Sequence, residues 1–252
     1  MVAVQSAAPD KKMLRSAIVI GATSGIGSEL ADILVSQGYR VGITGRRVNL
    51  LRDKVNTMPD RYVSQYMDVS DPKDCAWALE RLWSRFSHVD VVIFCAGTGD
   101  INLDLDFSKE QQTIRTNISG FTFVADWVFR AFEKQGIGHL VAITSVAALR
   151  GNRQAPAYNA SKAYQANYIE GLQQKAMNEK LNIRITDIRP GFVDTAMAKG
   201  EGKFWVMPVK KATLQVFQAI ESKKRVAYVT RRWWLIGVLL RALPKSIYLR
   251  LP

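Results

Sequence analysis

Tyr158 and Lys162 stand four residues apart in Tyr158-Asn-Ala-Ser-Lys162, with Ser145 thirteen positions upstream at the end of an apolar stretch. Positions i and i+4 of a helix project from one face, so this spacing predicts a Lys162 ammonium beside the Tyr158 phenol, favouring its ionised form. A phenol of ordinary pKa about 10 then exchanges protons closer to neutral pH. Residues 139–145 read as a buried strand that delivers the Ser145 hydroxyl to the same cleft. Such a trio fits hydride transfer to or from a carbonyl carbon, with the carbonyl oxygen held by hydroxyls. Taken alone, a tyrosine four residues before a lysine also marks a solvated helix face. The chemical reading depends on the elements around it.

Those elements begin near the N-terminus. The apolar run 17–20 is followed at once by Gly21-Ala-Thr23-Ser24-Gly25-Ile26-Gly27 and a helix-like stretch over 28–35. A strand, a glycine-rich turn and a helix start together suit a pyrophosphate, because glycines let the backbone approach it and the helix N-terminus offers bare N–H groups. A second strand over 39–44 arrives at the distance a βαβ unit requires. Its end carries the cofactor choice. A carboxylate there would bind the ribose 2′-hydroxyl of NAD, whereas the sequence reads Thr44-Gly45-Arg46-Arg47, two guanidiniums suited to the 2′-phosphate of NADP. A third strand, 62–67, ends in Asp68-Val69, and a fourth, 89–94, ends in Cys95-Ala96-Gly97. Asp68 can accept from the adenine amino group, and the small Ala96-Gly97 pair lets a cofactor lie close to the backbone.

Gly21-x-x-x-Gly25-x-Gly27, Asp68-Val69, Cys95-Ala96-Gly97, Asn117, Ser145, Tyr158-x-x-x-Lys162 and Pro190-Gly191 resemble, in order and spacing, the motifs of the short-chain dehydrogenase/reductase family. The resemblance covers roughly residues 16–230. It implies an α/β fold: one Rossmann-like, doubly wound, seven-stranded parallel sheet with helices on both faces. It also implies Tyr158 as general acid in reduction, Ser145 as the group that orients the carbonyl, and Lys162 as the ligand of the nicotinamide ribose that lowers the Tyr158 pKa. Asn117 resembles the residue whose main-chain carbonyl holds a proton-relaying water. Pro190-Gly191-Phe-Val193-Asp-Thr195 resembles the segment closing over the nicotinamide, with Val193 and Thr195 near its carboxamide. Cys95 departs from the family, which most often has Asn there, so altered local hydrogen bonding is expected. Members commonly form dimers and tetramers through the helices carrying Asn117 and Tyr158, which implies a homo-oligomer.

A chain of 252 residues is long enough for one α/β domain with a sizeable core. Residues 1–15 read as a mobile N-terminal extension without the apolar core of a signal peptide. Cys75 and Cys95 fall in helical and strand-like segments, so a reduced, cytoplasmic setting is expected rather than a disulfide framework. His88 and His139 have no metal-ligand spacing. Aromatics around Phe121, Phe123, Trp127 and Phe129 suit a core or a subunit interface.

The tail over 231–252 is unusual. From Lys223 onward there are Lys and Arg at eight positions and no Asp or Glu, within a chain of net charge +13. Inside lies the apolar run 233–240, bracketed by Arg231, Arg232 and Arg241. A helix of about twelve residues spans ~18 Å, short of the ~30 Å hydrocarbon core, so it should not cross a bilayer. It suits an anionic membrane surface, with the protein peripheral to the membrane, or else it packs across the substrate cleft or another subunit. Either use points to an apolar or lipid-like carbonyl substrate, as does an expected apolar lid over 195–208 containing Phe204, Trp205 and Met207. The reading is therefore an NADPH-dependent carbonyl reductase. A reductase of a keto-sugar on a polyprenyl phosphate, and a non-catalytic nucleotide-sensing protein of membrane or nucleic acid, stand as alternatives. Nucleic acid is not expected, because the cations concentrate at one end of the chain.

Overall fold

The structure, a computed structural model, describes residues 14–197 and 204–250. In chain order, β1 (Ser16–Ile20) turns into α1 (Gly25–Ser36), followed by β2 (Arg40–Gly45), α2 (Val48–Thr57), β3 (Tyr62–Tyr66), α3 (Pro72–Trp83) and β4 (Val91–Phe94). Next come α4 (Phe107–Ile114), a π-helical turn (Arg115–Gly120), α5 (Phe121–Gln135), β5 (Gly138–Ile143) and a 3-10 turn (Val146–Leu149). The long α6 (Pro156–Asn178) precedes β6 (Ile183–Pro190), α7 (Val209–Glu221) and β7 (Val226–Val229). Two helices of the tail follow, α8 (Trp233–Ala242) and α9 (Lys245–Tyr248).

All seven strands are parallel, in the order β3-β2-β1-β4-β5-β6-β7. Alternation along each strand sends side chains to both faces. Ala17 and Val19 meet Leu30 and Leu34 of α1 and Val216 and Ile220 of α7. Ile18 and Ile20 share the opposite core with Leu79 of α3, Phe121 and Val128 of α5 and Ile169 of α6. This is the doubly wound arrangement expected. Strand order reverses between β1 and β4, and a ligand crevice opens at their carboxyl ends.

Local signals explain the elements. α3 starts where Asp71 accepts from the Lys73 amide at 2.9 Å and Pro72 supplies a preset φ. α5 buries Phe121, Val124, Ala125, Val128, Phe129 and Phe132, a spacing of three and four that keeps one face inward. Each large side chain so buried contributes about 1.5–3 kcal/mol. The aromatics at 121 and 129 are thus core, and Trp127 packs edge-on to Trp83. α8 ends where Leu243 turns extended before Pro244.

Several boundaries differ from the expectation, the fourth strand for example beginning at Val91 and not at residue 89. Most of the anticipated extension lies outside the described residues, but Arg15 is anchored, ion-paired to Glu221 of α7 at 3.0 Å and stacked over Tyr39. The fifth strand stops at Ile143, not at Ser145, although β6 runs on to Pro190, because Ser145 turns aside to cap the 3-10 turn.

Candidate active site

Gly21, Thr23, Ser24, Gly25, Ile26, Gly27, Arg46, Arg47, Asp68, Val69, Cys95, Ala96, Gly97, Ser145, Tyr158, Lys162, Pro190, Gly191, Val193 and Thr195 wall one cleft of about 1590 Å3. Asn117 lies directly behind this wall, fully buried.

The turn between β1 and α1 fits a dinucleotide. A Cβ on Gly27 would stand 2.2 Å from the Gly21 carbonyl oxygen, so glycine is what lets α1 begin hard against β1. Ser24 precedes α1 in extended conformation with no side-chain bond to the helix, which leaves the first N–H groups of α1 available to an anion. Its hydroxyl accepts instead from Arg47 Nη2 at 2.7 Å, and Thr23 Oγ1 accepts from the same guanidinium at 2.6 and 3.1 Å. Arg47 is thereby held across the turn. Arg46 is exposed, 3.9 Å from the Asp68 carboxylate. One Asp68 oxygen is taken by its own turn, accepting from the Ser70 amide at 3.0 Å and hydroxyl at 2.8 Å. Cys95 ties β4 to β1 through its amide, bonded to the Ile20 carbonyl at 2.8 Å, and burial pushes its thiol up to about 12.

The chemical end of the cleft is set by β5, the π-helical turn and α6. Ser145 follows β5 and caps the 3-10 turn, its Oγ accepting from the Ala147 amide at 3.0 Å, which fixes the hydroxyl in place. Asn117 sits buried in the π-helical turn. Its Oδ1 accepts from the Thr98 amide at 2.9 Å, and its Nδ2 donates to the Thr98 carbonyl at 2.6 Å and to Ser161 Oγ at 3.0 Å. Ser161 in turn donates to the Tyr158 carbonyl at 2.8 Å. The loop after β4 and the first turns of α6 are thus stitched together around Asn117.

One expectation is corrected here. Helix spacing placed the Lys162 ammonium beside the phenol and the Tyr158 pKa below its ordinary value. In the structure burial raises it, and the hydrogen bond with Ser145 opposes that rise. Lys162 Nζ lies 5.9 Å from the centre of the tyrosine ring and donates elsewhere, to the Ile143 carbonyl at 3.0 Å and to Gln165 Oε1 at 2.9 Å. Burial lowers Lys162 itself to about 8, against the opposing pull of Asp187 and Cys95. The Asn117 carbonyl accepts from Gln165 Nε2 at 2.8 Å, so a side-chain amide links Asn117 to Lys162, while the second lone pair of that carbonyl remains able to accept from a water. Gln165 is fully buried, and one turn beyond Lys162 on α6 it presents a donor and an acceptor at once.

The sequence reading passed over Gln165, Asn159 and Arg150. A glutamine at the third position after the lysine, on a face otherwise turned to the core, was the available signal for the first. Asn159 donates to the carbonyls of Ala147 and Arg150 at 3.1 and 2.8 Å, holding the loop that carries Ser145. Arg150 donates to the Leu240 carbonyl at 2.7 Å and the Leu243 carbonyl at 2.6 Å, satisfying the C-terminal end of α8. Nothing local to Arg150 foretells a contact ninety residues away.

The outer wall of the cleft carries an apolar stretch beside the polar groups of Arg150, Asn152, Arg153, Gln154 and Lys245. Phe192, Met197, Phe204, Trp233, Ile236 and Leu240 line it. Gly191 admits the Trp233 ring, since a Cβ there would meet Trp233 Cε2 at 2.0 Å. Trp233 Nε1 is buried without a hydrogen-bond partner. Of the expected lid, residues 198–203 lie outside the described residues. The base is closed by a bridge between Val193 and Met207, with the Asp194 amide donating to the Met207 carbonyl at 2.9 Å and the Met207 amide to the Phe192 carbonyl at 3.0 Å. Among the described residues there is no group of acids, histidines and cysteines able to hold a metal. His139 is buried against Thr186, and burial lowers it to about 4.

The family model described as short chain dehydrogenase matches residues 15–204. An uncharacterized oxidoreductase of Staphylococcus haemolyticus is 31% identical over 192 residues, covering 73% of this chain and 80% of that protein. A short chain dehydrogenase from Burkholderia cenocepacia in complex with NADP superposes with a TM-score of 0.79 at 24% identity, covering 94% and 97% of the two chains. A short chain dehydrogenase/reductase from Burkholderia phymatum in complex with NAD also reaches 0.79, at 18% identity, covering 95% and 96%. The chain belongs to the short-chain dehydrogenase family and is an oxidoreductase of that family.

Proposed function

We propose that this chain is an NADPH-dependent reductase of an apolar or lipid-like ketone, or equally catalyses oxidation of the matching secondary alcohol by NADP+. The observation that carries this reading is the convergence of Ser145, Tyr158 and Lys162 with Arg46 and Arg47 in one cleft whose outer wall carries an aromatic and aliphatic stretch. The similar structures hold either NADP or NAD, so the cofactor choice rests on the two arginines and on the lack of an acid after β2.

When bound, the dinucleotide supplies or takes up the hydride. The chain's own residues do the rest. Ser145 Oγ, already accepting from the Ala147 amide, turns its proton toward the carbonyl oxygen of the substrate. Tyr158 donates to the same oxygen and passes it a proton as the alkoxide develops. Its raised pKa keeps it protonated at neutral pH, which is the form a general acid needs in reduction. Lys162, as ammonium, stabilises the phenolate left behind and stands where it can bond ribose hydroxyls. Gln165 fixes the Lys162 Nζ position and ties it to Asn117. The apolar stretch of the outer wall excludes water from these charges and strengthens their interactions.

The deciding experiment measures NADPH and NADH binding by fluorescence titration, and consumption of each with a panel of ketones of increasing chain length. Preference for NADPH together with kcat/KM rising with chain length is the expected result. Equal binding of both cofactors would remove the cofactor assignment, and a fall with chain length would remove the apolar substrate.

A further inference from the structure

Helix α8 is apolar on two sides. Trp233, Ile236 and Leu240, at spacings of three and four, face the cleft. Trp234, Leu235, Val238 and Leu239 occupy the other side and are exposed by 55, 60, 47 and 58%. Ile247 and Leu249, 51 and 69% exposed, extend that apolar face beyond Pro244. Single exposed leucines are ordinary, but six large apolar side chains within sixteen residues form a patch that calls for a partner. Around it stand Arg231, Arg232, Arg241, Lys245 and Arg250, all exposed, and no acid occurs anywhere from Lys223 onward.

We propose that this face of α8 and α9 docks the protein on an anionic lipid surface, and that the cleft receives its substrate from that surface. Ten residues of helix span about 15 Å, half of a ~30 Å hydrocarbon core, so α8 lies along the interface. Among the described residues no helix is long and apolar enough to cross a membrane. Tryptophan and arginine at the edge of an apolar strip match the level of phosphate headgroups. The charges favour lipid over a second copy of the chain. A symmetric pairing through this face would bring two clusters of five cations together, with Glu170 beside Trp234 and Val238 too few to balance them. Lys245, Tyr248 and Leu249 line the cleft as well, so the cleft opens on the docking side. Arg150 pins the end of α8 to the loop after Ser145, which holds the membrane face in fixed register with the chemistry. The delivery half of this inference rests on the proposed reductase reading; the docking half does not.

The test is flotation of the full chain with phosphatidylcholine vesicles, with and without phosphatidylglycerol. It is run on the wild type and on Leu235→Glu/Leu239→Glu, two positions that touch neither cleft nor core. Wild type should bind the anionic vesicles ~10-fold more than the neutral ones and release as salt rises, while the double variant loses that binding. NADPH titration and NADPH consumption with a short water-soluble ketone are measured in parallel and should be the same in both proteins. Wild type that ignores both vesicle types overturns the docking. So does a double variant that binds vesicles like wild type, or one that instead converts a dimer into monomers by light scattering. Vesicle binding without any NADPH consumption leaves the docking intact and overturns the reductase reading instead.

Discussion

The two walls of the cleft are built on opposite principles. The inner wall is polar and backed by buried, hydrogen-bonded groups: behind Lys162, itself only 3% exposed, Asn117, Ser161 and Gln165 have no exposed surface, and each of the four is bonded to another element. The outer wall carries an aromatic and aliphatic stretch. Phe192, Phe204, Trp205 and Trp233 touch one another edge-on or tilted, and the backs of Phe204 and Trp205 are 47 and 40% exposed. A hydrogen-bonded wall tolerates no change of position, because each displaced donor leaves another buried group unpaired. A wall of packed rings can repack around different shapes. The inner wall therefore sets the reaction, and the outer wall sets what undergoes it.

That contrast breaks most visibly at Tyr158. Tyr158→Phe should lower kcat for every accepted ketone by ~10²-fold or more while NADPH affinity is retained, the scale of a lost general acid. Equal losses from any outer-wall substitution would dissolve the distinction between the walls. Next in size is the cofactor end, where replacing Arg46 and Arg47 together should cost NADPH at least tenfold in affinity, about 1.4 kcal/mol, and leave NADH unchanged. Titration with both cofactors reads this directly.

Gln165 sharpens the comparison through pH. Lys162 is lowered from its ordinary 10.5 to about 8, so its ammonium is lost as pH rises through about 8, and reductive kcat/KM should fall on that limb. Gln165→Glu places a carboxylate against Lys162 Nζ and should move the limb to higher pH. Gln165→Leu removes an acceptor and should move it lower, with kcat reduced several-fold at neutral pH, on the order of one charged-group hydrogen bond or less. A glutamine that only fills space would change kcat and leave the limb in place. The smallest effect belongs to the outer wall. Trp233→Phe keeps an aromatic ring against Gly191 but removes the unpaired indole N–H, so KM for ketones carrying a second acceptor should rise by a few-fold with kcat unchanged, as for lost uniform binding.

The glycine turn, the paired arginines, Ser145, Tyr158 and Lys162 were legible because each sits at a fixed offset from a strand end or along one helix face. The apolar run 17–20 was legible as a strand, and in the structure Ala17 and Val19 enter one core while Ile18 and Ile20 enter the other. The length of the fifth strand was misread, since nothing local to the run ending at Ser145 shows that pairing stops at Ile143 and that Ser145 turns aside to cap the 3-10 turn while β6 runs on to Pro190. The Tyr158 pKa was misread for a different reason. Spacing says which groups share a helix face, but burial and the competing acceptors Ile143 and Gln165 decide where the ammonium points.

By itself, the sequence determined the βαβ succession, the crevice at the strand ends and the residue types that meet there, because these follow from local periodicity and from short-range turn chemistry. Only the tertiary structure decided that Gln165 joins Asn117 to Lys162 and that Arg150 holds the end of α8. It also decided that α8 turns Trp233 inward and Trp234 outward. Those choices join residues tens of positions apart, and contacts at that separation are set by how the layers stack, which no local pattern encodes.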